Sequence, residues 1–174
     1  SHMVVIYNDH MNYFDLKAYP TFAIGMAAHF PQADEGYGLR PFPGLEGDPD
    51  FAWPIARSLV RDGFDLTFCQ ELELDHGVYS WLPYLFDAPW PLKILPIAVN
   101  MLMHPVPTPQ RLHALGASLR RALLADGANR DVVVLAVPAD STRTWSASPP
   151  RAASNAPAAI GLRQVLPVQT SSTR

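Results

Sequence analysis

Two periodicities divide the chain. Residues 4–7, Val4-Val5-Ile6-Tyr7, form a short β-branched run ending in Asn8, Asp9 and His10, the pattern of a strand that delivers polar side chains to its end. Residues 64–69 (Phe64-Asp65-Leu66-Thr67-Phe68-Cys69) alternate as a half-buried strand does, whereas 92–102 is apolar nearly throughout and predicts a strand covered on both faces. The run Asp131-Val132-Val133-Val134-Leu135 predicts a further strand over 131–137. Helical spacing occurs twice. In 50–61, Phe51, Ile55 and Leu59 share a face, Asp50 reads as the N-cap, Pro54 falls in the first turn, and Gly63 ends the helix. In 109–125, Thr108 reads as the N-cap before Pro109, and Leu112, Leu115, Leu119 and Leu123 form an apolar stripe up to Gly127. Residues 17–48, rich in Pro, Gly and aromatics, predict a long irregular loop of the functional kind. Strands alternating with helices predict an α/β fold, a largely parallel or mixed central sheet flanked by helices, with a site near the strand ends.

The pattern stops near residue 137. From 138 to 174 the composition shifts to Ala, Pro, Ser, Thr and Arg, Asp140 is the sole acid, and Lys is absent. A segment of that kind buries too little apolar surface to offset its ordering entropy, so a tail packing little against the domain is expected.

Composition narrows the classes. The 174 residues suit one domain, with 48% hydrophobic residues, net charge −3 and a pI near 6.0. The thirteen basic residues are dispersed, and Arg120-Arg121 reads as a solvated helix face, so no nucleic-acid surface is expected. The longest apolar run, near 92–103, is interrupted by Pro96 and Asn100, so no membrane span is expected. A lone cysteine, Cys69, excludes an intrachain disulfide and fits a cytoplasmic location, with burial in a strand as its expected role.

Two histidines stand out as chemistry. His10, at the end of the first strand, can offer a neutral imidazole to a metal, with Asn8 and Asp9 beside it to fix its orientation; a hydrogen-bonded structural histidine is the alternative. His76 lies in Glu73-Leu74-Asp75-His76-Gly77, where Gly77 can free the backbone to aim the ring inward. Spacing alone equally allows a turn in which Asp75 holds His76. Asp34-Glu35 reads as a loop-anchoring or solvated pair, because adjacent carboxylates seldom aim at one point. His29, His104 and His113 lack ligand spacing to one another. Aromatics such as Tyr13, Phe14, Phe22, Tyr37, Tyr79, Trp81 and Tyr84 are candidates for a substrate pocket, with packing as the default.

Tyr7-Asn8-Asp9-His10 is followed in order by Tyr19-Pro20-Thr21-Phe22-Ala23-Ile24-Gly25, Ala33-Asp34-Glu35-Gly36, Phe64-Asp65-Leu66-Thr67, Asp75-His76-Gly77, Leu115-Gly116 and Leu119-Arg120-Arg121-Ala122. This series resembles the class III extradiol ring-cleavage dioxygenases, of the protocatechuate 4,5-dioxygenase β-subunit and gallate dioxygenase type. The resemblance implies a non-haem Fe(II) held by two histidines and a glutamate, opening a catechol-type aromatic acid with dioxygen. It makes His10 the second histidine ligand and His76 a catalytic histidine that handles protons. It also implies a homo-oligomer or a small partner subunit.

The resemblance further predicts that the domain is incomplete. The family's first histidine ligand lies upstream of the first strand, where this chain has Ser1-His2-Met3, which reads as a cloning remnant with a disordered His2. After Val137 the family's Gly-Thr-Gly-Gly-Leu-Ser-His segment is replaced by Pro138-Ala139-Asp140-Ser141. The possible codons of positions 136–141, read from their third positions, permit Gly-Thr-Gly-Gly-Leu but not an in-register Ser-His after it, so a frameshift is expected to account for the tail, with a natural segment as the alternative. The expected organisation is a remnant at 1–3, a partial dioxygenase domain at 4–137 and a low-complexity tail at 138–174. The alternative to a dioxygenase polypeptide is a non-catalytic fragment that keeps part of the fold and an association surface.

Overall fold

The computed structural model describes residues 1–126 and 130–137; the tail at 138–174 and Gly127 lie outside the described residues. Seven strands and four helices follow in chain order: β1 (His2–Tyr7), β2 (Phe22–Gly25), β3 (His29–Phe30), β4 (Leu45–Glu46), α1 (Pro49–Arg61), β5 (Thr67–Cys69), α2 (His76–Tyr79), α3 (Leu82–Leu85), β6 (Lys93–Val99), α4 (Pro109–Ala125) and β7 (Val132–Ala136). Five of the strands form one mixed sheet in the order β5-β2-β6-β1-β7. β1 runs parallel to both neighbours, with Val4 opposite Leu95 and Val134, while β2 runs antiparallel to β6 and parallel to β5. The α/β expectation is met.

β1 and β6 are almost wholly apolar because both of their faces are covered. Val4, Leu95, Ile97, Phe22 and Ile24 pack with Phe51, Ile55 and Leu59 of α1 and Leu115 and Leu119 of α4. On the other face Met3, Val5, Tyr7, Ile94 and Ala98 meet Leu74, Val78, Tyr79 and Leu82 from the segment around α2 and α3. The two long helices are also tied to each other: Ser118 Oγ donates to Asp62 Oδ2 at 2.5 Å, just past the end of α1.

Several boundaries differ from the sequence expectation, each for a local reason. β1 begins at His2, which is not disordered. Its backbone N–H donates to Asp131 O at 2.8 Å, its Nε2 lies 2.8 Å from Asp48 Oδ2, and its ring sits 4.6 Å from that of Phe51. The 17–48 loop contains β2, a strand between β5 and β6, and the β3–β4 hairpin. β2 is only four residues long and fully buried, so it shows no alternation to mark it.

The strand expected at 64–69 is reduced to β5. Gly63 turns the chain at φ +86°, and Phe64 turns inward to pack edge-on against Phe22 at 5.9 Å. That expected at 92–102 ends at Val99, because Asn100 Oδ1 accepts from the N–H groups of Leu102 and Met103 at 3.2 and 2.8 Å and makes a turn. The strand expected at 131–137 spans Val132–Ala136.

α1 starts one residue before its expected first residue, capped by Asp48 and not Asp50, with Pro49 in the first turn, where a missing N–H costs nothing. Pro54 consequently lies inside the helix, leaving Asp50 O without its i+4 partner. α4 is capped by Thr108 as expected, its Oγ1 accepting from Arg111 N at 3.2 Å. No helix among the described residues is long and apolar enough to cross a membrane.

Asp48 joins three elements: it accepts from Phe51 N at 3.3 Å, meets His2, and lies 3.6 Å from Lys93 Nζ. Asp48→Ala is expected to lower unfolding free energy by about 1 kcal/mol, the usual worth of a cap. Asp48→Asn should lose less, because the amide oxygen still caps. Urea midpoints of the two variants check this, and equal losses would contradict it.

Candidate metal centre

The end of β1 is shaped by two buried polar residues. Asn8 Oδ1 accepts from Met101 N at 3.0 Å, which ties the end of β1 to the turn after β6. Asp9 is 1% exposed, and its carboxylate accepts from the N–H groups of Asn12, Tyr13 and Phe14 at 3.1–3.2 Å. Burial pushes the Asp9 carboxyl up, against those three donors. Tyr19 Oη donates to Asp9 O, and Met11 takes a φ of 61°. The chain thus turns sharply after β1, with His10 at the turn.

Asp75 meets it from the other side. Its carboxylate is fully buried; Oδ2 accepts from His10 N at 2.8 Å and pairs with His10 Nδ1 at 3.0 Å, while Oδ1 accepts from Gly77 N at 2.8 Å as the N-cap of α2. Burial raises the Asp75 carboxyl, yet the two His10 bonds, together with the electrostatic attraction of the neighbouring imidazoles, hold the group below the usual carboxylate range. The same bond to Asp75 holds the His10 imidazole above its ordinary value, against burial. With Nδ1–H directed at Asp75, a neutral His10 carries its lone pair on Nε2, the arrangement in which a carboxylate backs a ligating histidine.

The His76 ring stacks on that of His10, with centroids 4.0 Å apart and planes at 27°. Its Nδ1 pairs with Glu35 Oε1, and Glu35 Oε2 lies 2.7 Å from Arg40 Nη2, an ion pair outside hydrogen-bond alignment. Ligand atoms of His10, Asp75 and His76 lie within 4.8 Å of one another, so the three could hold a metal ion. Both Asp75 oxygens already accept hydrogen bonds, so Asp75 fits the place behind His10 better than a place on the metal.

The structure therefore brings together His10 and His76, the two residues singled out in the sequence, and gives them separate carboxylates. Asp75 holds His10, not His76. Asp34 anchors its loop, its Oδ1 accepting from Gly36 N and Gly38 N at 2.9 and 3.0 Å, whereas Glu35, 18% exposed in its side chain, pairs with Arg40 of the same loop and reaches beyond it to His76. Sequence reasoning missed Glu35 and Arg40. The available signal was the Gly36 and Gly38 pair, whose φ values of +89° and +78° mark a turn that sends adjacent carboxylates in different directions. Cys69 is buried, and desolvation pushes its thiol up to about 11. Of the candidate pocket aromatics Phe14, Phe22 and Tyr79 are buried, while Tyr13, Tyr37 and Tyr84 are exposed. A cleft of about 360 Å³ lined by Thr21, Asp65, Thr67 and Arg111 shares no residue with the histidine cluster.

Residues 1–139 match the family model of the catalytic LigB subunit of aromatic ring-opening dioxygenase. The chain belongs to that family. It is 40% identical over 93 residues to a gallate dioxygenase of Pseudomonas putida, covering 52% of this chain and 27% of that protein. It is 34% identical over 137 residues to a 2,3-dihydroxyphenylpropionate/2,3-dihydroxicinnamic acid 1,2-dioxygenase of Rhodococcus jostii, covering 78% and 40% respectively. The chain thus spans well under half the length of these relatives.

Two predictions follow from the Asp75 pairing. In the metal-free chain His10 is held above its unfolded value near 6.5, so its contribution to stability is full below that pH and is lost as pH rises through the raised value. Asp75 is held below 3.8, so its contribution is present above that pH and is lost as pH falls through the lowered value. Denaturation profiles should decline on both sides, and Asp75→Asn should flatten both; an unchanged pH profile in that variant would refute the pairing.

Gly77 is needed for space, not for an unusual backbone angle. A Cβ there would stand 2.9 Å from Asn8 O, 2.9 Å from Asp75 Oδ1 and 3.2 Å from His10 Cε1. Gly77→Ala should therefore destabilise by about 1–3 kcal/mol, the usual scale of overpacking, and perturb the His10 ring signals in NMR spectra.

Proposed function

We propose that this chain supplies part of an Fe(II)-dependent extradiol site that opens the ring of a catechol-type aromatic acid with dioxygen. The observation that carries the reading is the pair of stacked imidazoles at the end of β1, with His10 backed through Nδ1 by buried Asp75. The relatives named for gallate and 2,3-dihydroxyphenylpropionate support a substrate with adjacent hydroxyls and a carboxylate. Ferrous iron, when bound, brings the catechol oxygens and dioxygen together and moves charge between them.

The chain's own residues have narrower tasks. His10 offers Nε2 as one of the iron's ligands, and Asp75 fixes the ring's tautomer and direction. His76, beside it, takes a proton from a catechol hydroxyl or returns one as the ring bond next to the diol breaks, giving a muconic semialdehyde-type product. Asn8 and Asp9 hold the loop that presents His10. The remaining two ligands come from sequence other than the described residues, in keeping with the share of its relatives that this chain covers. Assembly as a homo-oligomer or with a small partner subunit is part of the same reading.

Ferrous-iron titration with oxygen uptake tests this. The 174-residue chain should bind Fe(II) weakly and consume little oxygen with gallate or protocatechuate. In a full-length version that supplies the other ligands, His10→Ala should abolish iron-dependent ring opening. His76→Ala should leave iron bound and slow the chemistry by about 10²–10⁴-fold, the range for a positioned proton carrier. Ring opening that survives His10→Ala would overturn the assignment.

A further inference from the structure

The Glu35–Arg40 pair stands outside the cluster that could hold a metal. Among the described residues that cluster consists of His10, Asp75 and His76, and Glu35 lies behind His76, on its Nδ1. Three features build it into that place. The segment leading to Glu35 pairs with the one leading to His76: Leu74 N donates to Pro31 O at 2.9 Å, Ala33 N to Leu74 O at 3.0 Å, and Gln32 bridges Leu74 in parallel. The Asp34 turn, closed on Gly36 and Gly38, then curls the chain back. Arg40, whose own N–H donates to Gln32 Oε1, sets its guanidinium on the second Glu35 oxygen. The Glu35 side chain is 18% exposed, so the pair is largely enclosed.

We propose that Glu35, locked by Arg40, is the positioning residue of His76: by accepting from Nδ1–H it fixes the neutral ring in the tautomer whose lone pair lies on Nε2. This rests on the reading of His76 as a proton carrier, since a carrier must present one defined nitrogen to its substrate. Which ring nitrogen carries the proton is set by the hydrogen bond the other makes. Holding the wrong tautomer leaves a site's geometry intact while removing most of its rate, as the catalytic triad of serine proteases illustrates. His10 and His76 are then two imidazoles directed the same way by two different carboxylates.

Long-range ¹H–¹⁵N spectra of the 174-residue chain, without iron and at alkaline pH, test the inference directly. His76 should carry its proton on Nδ1. Glu35→Ala should move it to Nε2, the form that free side chains favour, and Glu35→Gln should keep it on Nδ1 because the amide oxygen still accepts. A wild-type ring protonated on Nε2, or an unmoved proton in Glu35→Ala, would overturn the proposal, and the wild-type spectrum decides even if Glu35→Ala does not fold. In the iron-loaded full-length enzyme Glu35→Ala should lower kcat by about 10–100-fold, the scale for partners behind a functional histidine, with KM and iron content unchanged. Adding it to His76→Ala should cost nothing further; an additive loss would count against the coupling. If His76→Ala itself leaves ring opening intact, the assignment of function fails, whereas the spectra still judge the Glu35–His76 pair.

Discussion

A buried carboxylate with three N–H donors organises the candidate site at the end of β1. Asp75 is fully buried, and a charge in that position costs several kcal/mol unless it is paired and hydrogen-bonded. The compensation comes from two places far apart in sequence: the backbone and ring of His10, and the backbone of Gly77. Satisfying Asp75 therefore fixes the turn after β1 against the first residues of α2. The contact admits little slack, because a single extra carbon at Gly77 would collide with Asn8 O, Asp75 itself and the His10 ring. His76, immediately after Asp75, inherits its position and stacks on His10.

The two faces of the sheet serve different ends. One is closed by α1 and α4, long amphipathic helices whose apolar stripes meet Val4, Ile97 and Phe22. The other is covered by α2, α3 and the chain around them, short elements that bury Leu74, Tyr79 and Leu82 and leave their polar residues at the strand ends. Long helices make a face uniform. Short elements allow polar side chains to converge, as Glu35, Arg40, Asp75 and His76 do, because each segment is placed by a few backbone bonds and not by an extended stripe. Tyr79 Oη and Trp90 Nε1 both donate to Pro43 O at 3.2 Å, which pins the 40s loop over this face.

How much of this was legible in the sequence depends on the range of the interaction concerned. α4 and the core of β1 were, because a leucine stripe and a β-branched run are local patterns. β2 was not: four buried residues, Phe22-Ala23-Ile24-Gly25, carry no period, and their strand state comes from β6 and β5 on either side. The start of α1 was misplaced because Asp48 and Asp50 are both good caps, and the preference for Asp48 comes from Pro49 together with contacts to His2 and Lys93 that sequence spacing does not show. At the site, His10 and His76 were found by position and by the family's ordered blocks. Their carboxylate partners differ from those the sequence suggests: Asp9, expected to orient His10, is taken up by the N–H groups of residues 12–14, Asp75 adjoins His76 in sequence yet bonds His10, and Glu35 reaches His76 only through the pairing of 31–33 with Leu74.

That exchange of partners gives the site a gradient of enclosure which suits the proposed roles. His10, 16% exposed in its side chain, bonds a carboxylate that solvent does not reach, whereas His76, 27% exposed, bonds one that is 18% exposed and tied to a half-buried arginine. A metal ligand works best when its direction is fixed and its partner is dry, since a small reorientation of the ring degrades coordination geometry. A proton carrier needs the opposite on one side: a held tautomer, but a path by which its proton can be exchanged after each turnover. Had Asp75 held His76, as adjacency suggests, the carrier would have been the more enclosed of the two and the ligand the looser. The crossing of partners between the turn after β1 and the start of α2 thus assigns the rigid place to His10 and the accessible place to His76.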